Sequence, residues 1–145
     1  MLVIASDHGG FAMKEQLCAH LRERGIEFED IGCHSEEGVD YPLYAEKAGK
    51  AVAAGIYDRG VLVCGTGIGM SMAANKIPGI RAALCADCYS AAMAREHNDA
   101  NILCLGGRTL GTALAMRILD TWLDTPFSHA EKHSRRIALI GALER

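Results

Sequence analysis

Short, unbroken apolar runs alternate along this chain with longer stretches in which apolar residues recur every three or four positions. Leu2–Ala5, Glu27–Ile31, Gly60–Cys64, Ile80–Cys85 and Ile102–Leu105 are the strand candidates. Several are apolar throughout, as expected of strands buried on both faces of a parallel sheet. Helix candidates lie between and after them: Phe11–Arg24, Leu43–Ala54, Ile68–Asn75, Tyr89–His97, Leu110–Leu123 and Ala130–Leu143. Strands alternating with helices imply right-handed crossovers and a doubly wound α/β sheet. Met13, Leu17 and Leu21 recur at four-residue steps, as do Leu110, Leu114, Ile118 and Trp122, and each set predicts one apolar stripe. Gly25 predicts a helix stop, and Pro126 separates the fifth helix from the last.

At about 150 residues per domain, the 145 residues predict a single domain spanning 1–145. The balance of 15 basic against 18 acidic residues excludes a nucleic-acid binder that works by overall positive charge. No run approaches the ~18 apolar residues of a membrane span. Leu2–Ala5 is too short for a signal-peptide core and lacks a basic flank. Six cysteines without an export signal read as reduced thiols in the cytoplasm.

In a doubly wound sheet, ligands bind beyond the carboxyl ends of the strands. The first strand is followed by Ser6-Asp7-His8-Gly9-Gly10, and the second by a loop ending in Asp40-Tyr41-Pro42. The third is followed by Cys64-Gly65-Thr66-Gly67-Ile68-Gly69, the fourth by Asp87 and Cys88, and the fifth by Gly106-Gly107-Arg108. Glu96-His97-Asn98-Asp99, between the fourth helix and fifth strand, is expected to join them at one edge. Acids, bases, a thiol and glycines gathered there predict an active site.

The glycine-rich turn after Cys64 lets backbone N–H groups approach a ligand at a helix start. A dinucleotide fingerprint would need an acidic residue ~20 positions on, and Asp87 lies near that distance. Cys64 at a helix start is expected to carry thiolate character, whereas Cys18 and Cys104 suit the role of small buried hydrophobes. Cys85-Ala86-Asp87-Cys88 spells a C-x-x-C redox motif, but a structural zinc site would need two further ligands. His129, Lys132, His133 and Arg136 fall at i, i+3, i+4 and i+7, predicting one basic helix face suited to phosphate or to solvent.

Five segments occur in an order that resembles type B ribose-5-phosphate isomerase, in the family shared with galactose-6-phosphate isomerase subunits. They are Ser6–Phe11, Asp40–Pro42, Cys64–Gly69, Ala73–Lys76 with Gly79–Ala82, and His97–Asn101. The resemblance covers nearly the whole chain. It implies a Rossmann-like three-layer sandwich, with a five-stranded parallel sheet, helices on both faces and a C-terminal helix reaching a partner subunit. It implies aldose–ketose isomerisation of a phosphorylated sugar without metal or organic cofactor, in a homodimer or dimer of dimers with sites at the subunit boundary.

Residue by residue, the resemblance implies Cys64 as the base that moves a proton between C1 and C2, and Thr66 as the hydroxyl serving the sugar oxygens. Backbone N–H groups across Gly65, Thr66, Gly67, Ile68 and Gly69 would hold the enediolate. His97, with Asp7, would open the furanose, while Asn98 and Tyr41 would hold sugar oxygens. His8, Arg108 and Arg136 resemble phosphate ligands, with Lys132 and His133 beside Arg136. Cys64 together with Met70 places the chain in the branch with a thiol base, since the other branch has Glu at position 70. Lys132 stands where the ribose-phosphate enzymes often have Arg, and Cys88 where Pro is common. The expected substrate is D-ribose 5-phosphate. Allose 6-phosphate, galactose 6-phosphate or a tetrose phosphate is the alternative within the class, and a nucleotide-binding module or a Cys85/Cys88 redox protein the alternative outside it.

Overall fold

The computed structural model describes residues 1–144, so Arg145, the last residue of the expected domain, lies outside the described residues. The chain runs β1 (Leu2–Ser6), a 3-10 turn (His8–Gly10), α1 (Phe11–Glu23), β2 (Phe28–Asp30), α2 (Tyr41–Ala53), β3 (Arg59–Cys64), α3 (Ile68–Ala74), β4 (Ala82–Leu84), α4 (Cys88–Glu96), β5 (Ile102–Gly106), α5 (Thr112–Asp124) and α6 (Glu131–Gly141). The five strands are all parallel, in the order β2-β1-β3-β5-β4. Among the described residues no helix is long and apolar enough to cross a membrane.

Alternation along each central strand divides the core into two layers. Leu2, Ile4, Val61, Val63, Leu103 and Leu105 face α1, α4 and α5. Val3, Ala5, Leu62, Cys64, Ile102 and Cys104 face α2 and α3. Both faces are covered, so the central runs are apolar throughout, as parallel sheets require. The α/β sandwich expected from the sequence is thus present.

Local signals set most element ends. After α1, Gly25 takes φ +71 while its N–H donates to the Arg22 carbonyl, and Ile26 N–H reaches back to Leu21. This paired C-terminal closure favours glycine because only glycine adopts positive φ without a Cβ penalty. The expected start of α2 at Leu43 moves to Tyr41, because Pro42 fits the first helical turn. The expected strand Ile80–Cys85 shortens to Ala82–Leu84. Ile80 turns into the α2–α3 layer, and the Arg81 N–H donates to the Asn101 side chain at 2.8 Å.

One periodicity reading needs correction, and one buried charge lies outside the apolar pattern. Leu114 is 41% exposed, and the buried stripe of α5 is Ala115, Ile118, Leu119 and Trp122. Four-residue steps drift around a helix of 3.6 residues per turn, so Leu114 rotates off the core side. Lys14, on the flank of the α1 stripe, is fully buried and pairs with Asp30 at 2.6 Å. That ion pair ties α1 to the end of β2.

Trp122 is fully buried, with the guanidinium groups of Arg59 and Arg95 5.0 and 5.6 Å from its ring centroid. Trp122→Ala is therefore expected to lower unfolding stability by about 3–5 kcal/mol in urea denaturation. Leu114→Ala, on the exposed side of the same helix, should stay within about 0.5 kcal/mol of the parent.

Candidate active site

The sheet order places β2 on one side of β1 and β3 on the other, opening a crevice beyond their carboxyl ends. The turns leaving β1 and β3 meet there. Asp7 N–H donates to the Val63 carbonyl at 3.1 Å, and its buried carboxylate accepts the Gly10 N–H at 3.0 Å. A Cβ on Gly9 would fall 3.2 Å from the Gly65 nitrogen, so the two backbones pack in near-direct contact. Arg108 follows β5, donates its N–H to the Gly65 carbonyl at 2.9 Å and lays its guanidinium across Gly9 and Gly65. His8 Nδ1 accepts the Val39 N–H at 3.2 Å. A backbone N–H can only donate, so the neutral His8 ring carries its proton on Nε2, free for another partner.

Cys64 ends β3 and is 4% exposed. The Gly67 N–H donates to its Sγ at 3.1 Å. Gly67 has φ +78, and a Cβ there would fall 2.9 Å from the Leu105 carbonyl carbon, so the turn needs glycine twice over. The Ile68 N–H donates to Thr66 Oγ1 at 3.2 Å. Two of the N–H groups expected to face a ligand are thus engaged within the turn. Tyr41, the first residue of α2, lays its ring over Gly69, where a Cβ would fall 2.6 Å from Cζ.

Burial favours the neutral thiol at three other cysteines. Burial, reinforced by Asp30, pushes Cys18 up to about 11, and burial, reinforced by Asp87, does the same to Cys85. Complete burial pushes Cys104 higher still. All six cysteines are free thiols. Asp87, the acid considered for a dinucleotide ribose, caps α4 instead. It accepts the Ser90 N–H at 2.7 Å and the Ser90 hydroxyl at 2.8 Å, and these bonds hold its carboxyl below the usual range. No cluster of three or more His, Cys, Asp or Glu side chains suited to a metal ion occurs among the described residues.

His97 and Asn98 do not join this cluster within the chain. They precede β5, and Ile102 pairs with Gly60 at the start of β3, four residues before Cys64. At about 3.3 Å per residue the two groups are separated by at least ~13 Å of strand, at opposite edges of the sheet. The expectation of one edge fails because α4 carries the chain back across the sheet before His97. His97 instead meets α6. Its ring centroid lies 4.2 Å from that of His133, and His133 Nδ1 hydrogen-bonds Ser128 Oγ at 2.6 Å.

The basic face expected on the last helix is also altered. His129 precedes α6 with φ +58 and so lies off the helix. His133 is buried, while Lys132 and Arg136 are exposed. Both ends of α6 are tied to the same amino-terminal edge, through Ser128 N–H to the Glu96 carbonyl and Gly79 N–H to Glu144 Oε1. A cavity of 610 Å³ opens there between Arg81, Asn98 and Ile140, away from Cys64. No sequence pattern points to Ser128 or Lys14, and Arg81 falls only within the Gly79–Ala82 segment. The Lys14 and Arg81 side chains meet partners 16 to 18 positions away, and Ser128 reaches His133 from just outside the helix, where no spacing rule applies.

Burial holds the His133 pKa below its ordinary value, with the charges of His97, Lys132 and Arg136 acting in the same direction and Glu96 opposing. Its stability contribution is therefore complete above about pH 6.5 and is lost as pH falls through the lowered folded value. His133→Asn is expected to flatten the fall in melting temperature between about pH 7 and about pH 5.

Comparison with known proteins agrees with this architecture. The Ribose/Galactose Isomerase family model matches residues 2–140. Ribose-5-phosphate isomerase B of Escherichia coli K12 is 46% identical over 143 residues, covering 99% of this chain and 95% of the relative. The structure of type B ribose 5-phosphate isomerase from Trypanosoma brucei superposes with a TM-score of 0.94 at 54% identity, covering 99% of this chain and 97% of that one. Ribose-5-phosphate isomerase B from Clostridium thermocellum gives a TM-score of 0.96 at 50% identity, covering 98% and 95%. With its parallel sheet, its glycine-lined crevice and nearly all of its length matched, this chain belongs to the ribose/galactose isomerase family.

Proposed function

We propose that the protein interconverts D-ribose 5-phosphate and D-ribulose 5-phosphate in the cytoplasm, with Cys64 as the proton-transfer base. The observation that carries the assignment is the Gly67 N–H directed at the Cys64 sulfur in the β1–β3 crevice. In the open-chain aldose, the thiolate takes the C2 proton and the electron pair forms the C1–C2 double bond. Charge develops on O1, where N–H groups of the glycine turn stabilise it. Thr66 passes a proton from O2 to O1, and the Cys64 thiol returns its proton to C1 to give the ketose. His8, through Nε2–H, and Arg108 hold phosphate at this edge, and Tyr41 holds a sugar oxygen.

Ring opening requires His97, which lies at the opposite edge of its own chain. The complete site is therefore composite. A second copy supplies His97 and Asn98, along with Lys132 and Arg136 on α6 for the phosphate, and Asp7 assists His97 across the boundary. His133 supports the His97 ring from behind. This arrangement accounts for the exposure of Leu139 and Ile140 on α6, and of Leu143 just beyond it, in the single chain.

Cys64→Ala is expected to lower kcat on ribose 5-phosphate by about 10²–10⁴-fold with KM little changed. Near-parental turnover would refute the base. Stronger turnover of allose 6-phosphate, galactose 6-phosphate or erythrose 4-phosphate would keep the mechanism and move the substrate. The composite site has its own check. Mixing Cys64→Ala and His97→Asn chains, each inactive alone, should restore about a quarter of parental activity, because half of the mixed dimers' sites are intact. No recovery on mixing, with exchange of subunits verified, would refute the composite site.

A further inference from the structure

We propose that Arg81 is a positioning residue for ring opening, holding the His97–Asn98 turn in register; this rests on the ring-opening role of His97 given above. Arg81 lies just before the edge strand β4, outside the glycine turn and the basic helix. Its guanidinium grips two consecutive backbone carbonyls, Nε donating to Asn98 at 2.9 Å and Nη2 to Asp99 at 2.9 Å. Its own backbone is clamped in return. The Arg81 N–H donates to Asn101 Oδ1 at 2.8 Å, and Asn101 Nδ2 donates to the Gly79 carbonyl at 2.8 Å.

The gripped turn is one that would not hold itself. Asp99 takes φ +45, a conformation that side-chain-bearing residues adopt rarely. Arg95 braces it from the other side, through Asp99 Oδ1 at 3.0 Å and the Ala100 carbonyl at 2.6 Å. Arg95 is packed over Trp122 in the core, whereas Arg81 faces the cavity that Asn98 also lines. The planar fork fixes the orientation of two peptide units at once, which a lysine ammonium cannot do. His97 immediately precedes them as the C-cap of α4, so the aim of its imidazole follows from theirs.

A split assay tests the proposal. Ribulose 5-phosphate cannot close to a furanose because its O5 carries the phosphate, so deuterium uptake from D₂O at its C1 needs the Cys64 step but no ring opening. Conversion of ribose 5-phosphate needs both. Arg81→Gln is expected to lose about 10²-fold in ribose 5-phosphate turnover. Its exchange into saturating ribulose 5-phosphate should stay within about threefold of parental, the same split expected of His97→Asn. Arg81→Lys should recover only part of the loss, and it serves as the test where the glutamine variant does not fold. Near-parental ribose 5-phosphate turnover in Arg81→Gln, or equal loss of both activities, overturns the positioning role while leaving His97 in place. If His97→Asn itself turns over ribose 5-phosphate normally, the ring-opening assignment fails and the proposal falls with it.

Discussion

The carboxyl ends of β1, β3 and β5 lie side by side, and the turns that leave them touch through glycines. Gly9 packs on Gly65, and a Cβ on Gly107 would fall 2.9 Å from the Gly9 carbonyl oxygen. Gly10 sits so close to the Val63 carbonyl that no side chain fits between them. Any one side chain here would spread the three strand ends apart. Because none is present, Asp7, Cys64 and Arg108 converge, although 57 positions separate the first from the second and 44 the second from the third. The hydrogen bonds that hold them are backbone bonds, including Gly107 N–H to the Cys64 carbonyl at 2.8 Å. Contacts of this kind do not depend on rotamers, and they form a preorganised frame for charge that develops during proton transfer.

Strand direction sets the second constraint. In a parallel sheet every helix returns the chain to the amino-terminal edge before the next strand begins. Residues at the ends of strands and residues at the ends of helices therefore occupy opposite edges, however close they stand in sequence. Cys64 is of the first kind and His97 of the second. The composite site proposed above follows from this separation, and α6 is tied to the same amino-terminal edge as His97 through Ser128 and Glu144. The histidine pair there is packed for support: the His133 ring backs His97 and is itself pinned by Ser128.

Local chemistry was readable wherever it acts within a few residues. The closure at Gly25, the prolyl start of α2, the glycine turn after Cys64 and the stripe of Met13, Leu17 and Leu21 all follow from neighbouring residues. The failures share a cause. Leu114 matched a four-residue step that drifts off the face of a real helix. His129 matched helical spacing just outside the helix. Lys14 is buried without any signal in its neighbours, because its partner Asp30 comes from β2. Arg81 has no motif of its own, because its partners are carbonyls whose direction depends on the turn at Asp99.

The sequence by itself determined the strand–helix alternation, the two-sided burial of the sheet and the identity of the groups that follow each strand. These depend on hydrophobic period and on turn chemistry, both of which are local. Only the tertiary structure decided which of those groups meet. It placed Cys64 with Asp7, His8 and Arg108 through the β1–β3 switch, and it sent His97 and Asn98 to the far edge with His133, Ser128 and Arg81. Proximity across a sheet depends on strand order and direction, which are set by how whole layers pack rather than by any residue's neighbours along the chain.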